Sequence, residues 1–240
     1  MSHNLKIKKI DIYPFNVASE HEFKIATMVV SGAQNVLIHI QTNEGIDGWG
    51  EASSFRAIVG ETQMINLAAA QEIRDILIGK NPLDYASRVR DMDAFLPLNA
   101  TIKSAFDMAL YDLAAKHAGL PLYRFLGGEK RPMETDLTMG IGKLEDAGKD
   151  AIKIVNQGFK MIKTKVGLDP EEDVLRLRAI RKAIGPDVKI RIDANQGWDR
   201  ITAVKSLQQM EELDIEYCEQ PVRRWDLDGM KYVSEHTTIP

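Results

Sequence analysis

The 240-residue sequence is 44% apolar, sets 31 Lys and Arg against 35 Asp and Glu, and has one cysteine, Cys218. That is enough chain to bury a sizeable core, with room for two domains. A formal net charge of -4 with interleaved signs offers no basic face for a nucleic acid. A lone thiol excludes an intrachain disulfide framework, and the polar start MSHNLKIKK has no apolar signal core behind it, so a cytoplasmic protein is expected.

In chain order, strands come first. LKIKKIDIYPF alternates apolar and polar, FKIATMVV and NVLIHIQT flank an expected turn at Ser31 to Asn35, and GIDGWGEAS offers glycines for a tight turn. The longest charge-free run, Ile25 to Asn43, is interrupted by SGAQN, so a two-stranded hairpin accounts for it better than a membrane span. Helices are predicted over 61–79 and 83–95. A third follows, in which Ile102, Ala105, Phe106, Ala109, Leu110 and Leu113 recur at three- and four-residue spacing, Asn99 can cap the start, and Gly119 and Pro121 end it. Residues 1–130 therefore read as one α+β domain.

From about residue 133 the rhythm becomes strand, loop, helix. METDLTMGI precedes a helix near 144–157, FKMIKTKV precedes DPEEDVLRLRAIRKAI, VKIRIDAN precedes DRITAVKSLQQMEEL, and IEYCEQPV precedes a helix after Trp225. Asp169 as N-cap, Pro170 at the first position and Gly185-Pro186 at the end punctuate the second of these helices. Such alternation predicts parallel βα units. Strand ends at Lys165, Asp193 and Glu219 fall 28 and 26 residues apart, close to the roughly 31 residues per unit of a (βα)8 barrel. A barrel is favoured over a doubly wound sheet, but residues 131–240 supply only about three and a half such units. The chain is expected to be the first part of a longer protein, with HTTIP approaching a fifth strand.

In a βα barrel, groups at the carboxyl ends of adjacent strands enter one pocket. Thr138, the pair Lys163 and Lys165, Asp193 and Glu219 hold such positions in consecutive units. Side chains two apart on a strand share a face, so the two lysines project together. Carboxylates on neighbouring strands make an oxygen cradle suited to Mg²⁺. An ammonium normally loses its proton only near a pKa of about 10.4. A neighbouring ammonium and a cation both disfavour its charged form, which would make Lys165 a base for an α-proton acidified by the metal. Each piece alone is weak: lysines two apart usually mark a solvated edge, and Asp before Ala-Asn or Glu before Gln-Pro is ordinary turn chemistry. Cys218, one position before Glu219, is expected to face away as a small core residue, and His39 to lie in a strand without chemical duty. The joint order on consecutive strands gives the set its weight.

These residues carry a resemblance. Lys163-x-Lys165, DANQGW at 193–198 and CEQPV at 218–222, with GWGEA and SAFDMALYDLAAKHAGLPLYRFLGG upstream, are similar to the muconate-lactonizing subgroup of the enolase superfamily, and within it to the dipeptide epimerases acting on alanyl dipeptides. A lysine base beside magnesium is the general pattern of that superfamily, and the two lysines and two carboxylates match it. The resemblance implies an α/β chain: an N-terminal α+β capping domain (1–130), then the first half of a (β/α)7β barrel (131–240). It implies Mg²⁺ held by Asp193 and Glu219, with a third acidic ligand, a second catalytic lysine and an ammonium-binding acidic motif on the fifth, sixth and eighth strands, beyond Pro240. Lys165 would be the acid/base on one face of the α-carbon and Lys163 the group that orients and depresses it. Thr138 and Lys163 would be substrate contacts, and NVASEHEFKIA a mobile capping loop whose Phe23 or Lys24 touches the ligand. The implied activity is Mg-dependent epimerisation of a small dipeptide by 1,1-proton transfer through an enediolate; homo-oligomer formation is left open. Succinylbenzoate synthases and muconate-type cycloisomerases share these strand motifs and remain alternatives, as does a non-catalytic member of the fold.

Overall fold

The computed structural model describes residues 4–240, with no side chain described at 20–22. The first three residues of the polar start therefore lie outside the described residues. Alternation sets the first sheet: in β2 (Met28–Thr42), Val36, Ile38 and Ile40 are fully buried while Leu37, His39 and Gln41, each following one of them, are only half-buried. This is the pattern of a sheet with one covered face. β1 (Ile7–Ile25), β2 and β3 (Asp47–Ala52) lie in that order, with His39 opposite Trp49 in the antiparallel β2–β3 pair.

The turn expected at Ser31 to Asn35 is not there. β2 runs through those residues, and the chain reverses at Ala26 and Thr27. Gly32 serves close approach instead, since a Cβ on it would stand 2.4 Å from the Val17 carbonyl oxygen. The segment NVASEHEFKIA, expected as a loop, accordingly forms the distal part of β1 and the start of the turn.

Helices follow: α1 (Arg56–Val59), α2 (Gln63–Leu77), α3 (Tyr85–Phe95), α4 (Ala100–His117) and the single turn α5 (Leu122–Phe125). In α4 the six apolar residues picked out by spacing are all fully buried. Asn99 stands before α4 but does not cap it: with φ 53° its side chain turns back, and its amide donates to the Pro97 carbonyl at 3.2 Å. The glycines of GIDGWGEAS divide between two roles. Gly45, at φ 82°, makes the turn, whereas Gly48 and Gly50 sit within β3, where a Cβ would come 2.0 Å from Ala109 O and 1.9 Å from Ala105 O. They let strand and helix backbones touch. Gly50→Ala should cost about 3 kcal/mol, the upper end for overpacking, because the obstructing atom is backbone. Thermal denaturation checks this, and an unchanged melting temperature would contradict it.

Internal contacts divide the chain into two units: Met1–Glu20 with Gly32–Arg131, and His21–Ser31 with Pro132–Pro240. In the second, β4 (Leu137–Met139), α6 (Leu144–Asn156), β5 (Met161–Lys165), α7 (Pro170–Ile184), β6 (Lys189–Asp193), α8 (Arg200–Met210), β7 (Ile215–Glu219) and α9 (Leu227–Glu235) alternate strictly. Asp169 caps α7, accepting from the Glu171 and Glu172 N–H groups, and Gly185 ends it. The four strands are parallel and ordered β4-β5-β6-β7. A doubly wound sheet reverses its order at a switch point, whereas this steady progression is that of a barrel. Ile162, Ile190 and Ile192 bury against Leu177 and Ile180 of α7 and Leu207 of α8. Among the described residues no helix is long and apolar enough to cross a membrane.

Candidate active site at the carboxyl ends of the parallel strands

β5, β6 and β7 end in one row: Lys165 is in register with Asp193, and Asp193 with Glu219. Pleating puts Lys163 on the same face as Lys165 and sends Thr164, 1% exposed, to the other side. Lys165 Nζ donates to Asp193 Oδ2 at 2.6 Å. Lys163 Nζ lies 3.1 Å from that same oxygen and 2.5 Å from Glu219 Oε2. The Asp193 side chain is 2% exposed and that of Glu219 44%, so the row grades from interior to mouth. Asp193 Oδ1 accepts from the Asn195 N–H at 2.8 Å.

The charge balance differs from that expected of crowded lysines. Burial pulls the Lys163 ammonium down, but Glu219 and Asp193 outweigh it and hold its pKa above the ordinary lysine value. Repulsion between the lysines is answered by two carboxylates, a contribution that sequence order alone does not show.

The same geometry tests the fit of a divalent cation. Asp193 and Glu219 converge on one positive centre, now the Lys163 ammonium, and offer hard oxygen donors. Beside them the buried Asn195 Oδ1 has no partner among the described residues. The residues present fit such an ion, although among the described residues no three His, Cys, Asp or Glu side chains gather.

Thr138 is half-buried in the middle of the three-residue β4, not at its end, and in register with Lys163. Lys24 is exposed, and its carbonyl accepts from the Ile141 N–H just past β4 at 3.0 Å. Cys218 packs against the core, and burial pushes its thiol up. His39 stacks on Trp49 at 3.9 Å and its Nε2 lies 2.8 Å from Asp47 Oδ2, away from the lysine row in sequence and sheet.

Two features were not anticipated. Asn195, Gln196 and Gln220 take left-handed backbone, with φ between 45° and 67°. Such conformations concentrate at functional sites, and DANQ offered only its asparagine as a signal. Below the lysine row, Arg191 is in register with Lys163 and bonds Asp136 at 2.9 Å and Glu216 at 2.5 Å. Those bonds hold its guanidinium firmly charged. The charged middle of KIRID was its only trace.

Comparison with known proteins gives two family matches: the N-terminal domain of the mandelate racemase / muconate lactonizing enzyme family over residues 9–127, and an enolase C-terminal domain-like region over 146–240. The D-Ala-D/L-Ala epimerase of Cytophaga hutchinsonii is 44% identical over 235 residues, 98% of this chain and 64% of the relative. A crystal structure of a dipeptide epimerase from C. hutchinsonii, complexed with Mg and D-Ala-L-Val, superposes with a TM-score of 0.95 at 42% identity, over 98% of this chain and 64% of that one. One from Enterococcus faecalis V583, complexed with Mg and L-Leu-L-Tyr, does so with 0.95 at 37% identity, over 98% and 66%. The chain thus spans about two thirds of the length of the proteins it matches.

Proposed function

Because the chain belongs to the mandelate racemase / muconate lactonizing enzyme family of the enolase superfamily, we propose that the whole protein is an Mg²⁺-dependent dipeptide epimerase working by 1,1-proton transfer. The observation that carries this reading is the shared bonding of Lys163 and Lys165 to Asp193 and Glu219 at three aligned strand ends. Asp193 and Glu219 would hold the cation, which when bound supplies Lewis-acid polarisation of a substrate carboxylate.

The remaining work falls to the side chains. With both carboxylates engaged, the lysines lose the oxygens they now bond, and each becomes an uncompensated positive neighbour of the other. Lys165, the more enclosed of the two, is then the group to take the α-proton on one face, and Lys163 stays charged beside it. Partial burial excludes the water that would otherwise protonate the amine. Inversion requires a second base on the opposite face, which we place on the sixth strand. Thr138 and Lys24 are proposed substrate contacts, within β4 in register with Lys163 and on the β1–β2 hairpin.

Alanine-containing dipeptides are the first choice, by likeness to the C. hutchinsonii epimerase; the E. faecalis structure with L-Leu-L-Tyr makes bulkier apolar dipeptides the comparison set. Incubation of the whole protein with Mg²⁺ in D₂O, followed by proton NMR, should show loss of the α-proton signal of the C-terminal residue together with inversion. Failure of every L-Ala-containing dipeptide to take up deuterium would remove the proposal.

A further inference from the structure

Just beyond β5 the chain must dispose of the Lys165 carbonyl and the Gly167 N–H, backbone groups either side of Val166 at the strand exit. Two side chains of α7 take them. Arg176 Nη2 donates to Lys165 O at 2.9 Å, Asp173 Oδ2 accepts from the Gly167 N–H at 2.7 Å, and Arg176 Nη2 also donates to Asp173 Oδ1 at 2.6 Å. Asp173 and Arg176 are three apart, so they meet on one helix face. They are 1% and 3% exposed.

Their position is unexpected on packing grounds. They are interleaved with Val174, Leu177 and Ile180, which bind α7 to the sheet, and apolar residues of similar volume usually hold such a face as well as a buried ion pair or better. Here the arginine even leaves its Nε without a partner among the described residues. What apolar residues cannot do is grip a carbonyl and an N–H. The exit is locked on its other side too: Gly167 has φ 105°, and a Cβ on it would meet Ala194 O at 2.4 Å, in the loop after Asp193.

On the reaction proposed above, we infer that Asp173 and Arg176 are positioning residues for Lys165, fixing the peptide groups on its C-terminal side and thereby the line along which its amine meets the α-carbon. A misplacement of about 1 Å at such a group can cost about 10²-fold. Because Lys165 serves one face only, the loss must be one-sided, which a general weakening of the fold would not produce.

The test uses the whole protein with Mg²⁺ in D₂O, following α-proton exchange separately from each of the two stereoisomers of an alanyl dipeptide. Arg176→Met should slow exchange from one stereoisomer by about 10- to 10²-fold, leaving exchange from the other and Mg²⁺ affinity near wild type. Arg176→Lys, which keeps a donor, should recover part of the loss. Leu177→Ala, a fully buried neighbour on α7, should lower the melting temperature without creating asymmetry. Should Arg176→Met fail to fold, Asp173→Asn, which keeps the shape and removes the charge-assisted bond, is expected to give the same one-sided slowing. Equal slowing of both isomers, or none, with a wild-type protein that exchanges overturns the inference and leaves the reaction standing. A wild type that does not exchange overturns both.

Discussion

Lys165→Ala in the whole protein is expected to lower epimerisation by about 10²- to 10⁴-fold, the range a positioned general base supplies, with Mg²⁺ binding retained. The partners of Lys165 explain why the two effects separate. Among the described residues its Nζ bonds only one oxygen, Asp193 Oδ2, and Lys163 lies 3.1 Å from that same oxygen. Removing the Lys165 amine therefore leaves Asp193 still paired and the carboxylates in place. Stability should fall modestly, through the lost packing of a side chain that is 10% exposed. Polarimetry or proton NMR gives the rate, and metal-dependent thermal stabilisation gives the binding. A loss of less than about threefold would mean that Lys165 is not the base, since even a modest general base supplies about 10²-fold.

Asp193→Asn should abolish activity and destabilise the fold together. Asp193 Oδ2 is the meeting point of both ammoniums, in a side chain only 2% exposed. Neutralising it strands the enclosed Lys165 charge, and breaking a buried pair by removing one partner costs about 3–5 kcal/mol. Glu219→Gln is the informative contrast. Its carboxylate is 44% exposed, where an ion pair contributes about 0–1 kcal/mol, so it should lose metal binding and turnover with little loss of stability. Chemical denaturation alongside Mg²⁺ titration of both variants reads the difference. Equal stability of the two would contradict the graded burial of the row.

Much of this is legible in the order of residues. Lys165, Asp193 and Glu219 end their strands because each precedes chemistry that a strand does not continue: Val-Gly, Ala-Asn and Gln-Pro. Period-two alternation then sets the face of Lys163 without reference to its neighbours. What the order of residues hides depends on distant partners. Gly32, Gly48 and Gly50 look like turn residues until Val17, Ala105 and Ala109 are brought against them. Asn99 has the composition of a cap but a left-handed backbone. The lysine pair suggests repulsion, because sequence shows two like charges and not the carboxylates that come within hydrogen-bonding distance only when β5, β6 and β7 align. Asp173 and Arg176 sit among the many charges of DPEEDVLRLRAIRKAI, and only docking on the exit of β5 makes them polar supports.

Asp193 and Glu219 are proposed to share one cation while Lys165 faces the reacting carbon. A crystal structure of the whole protein with Mg²⁺ and an alanyl dipeptide tests it most directly. The ion should lie about 2.0–2.1 Å from an oxygen of each carboxylate, with Lys165 Nζ about 3–3.5 Å from the α-carbon of the C-terminal residue. An ion bound without both carboxylates, or a Lys165 amine directed away from that carbon, would contradict the account.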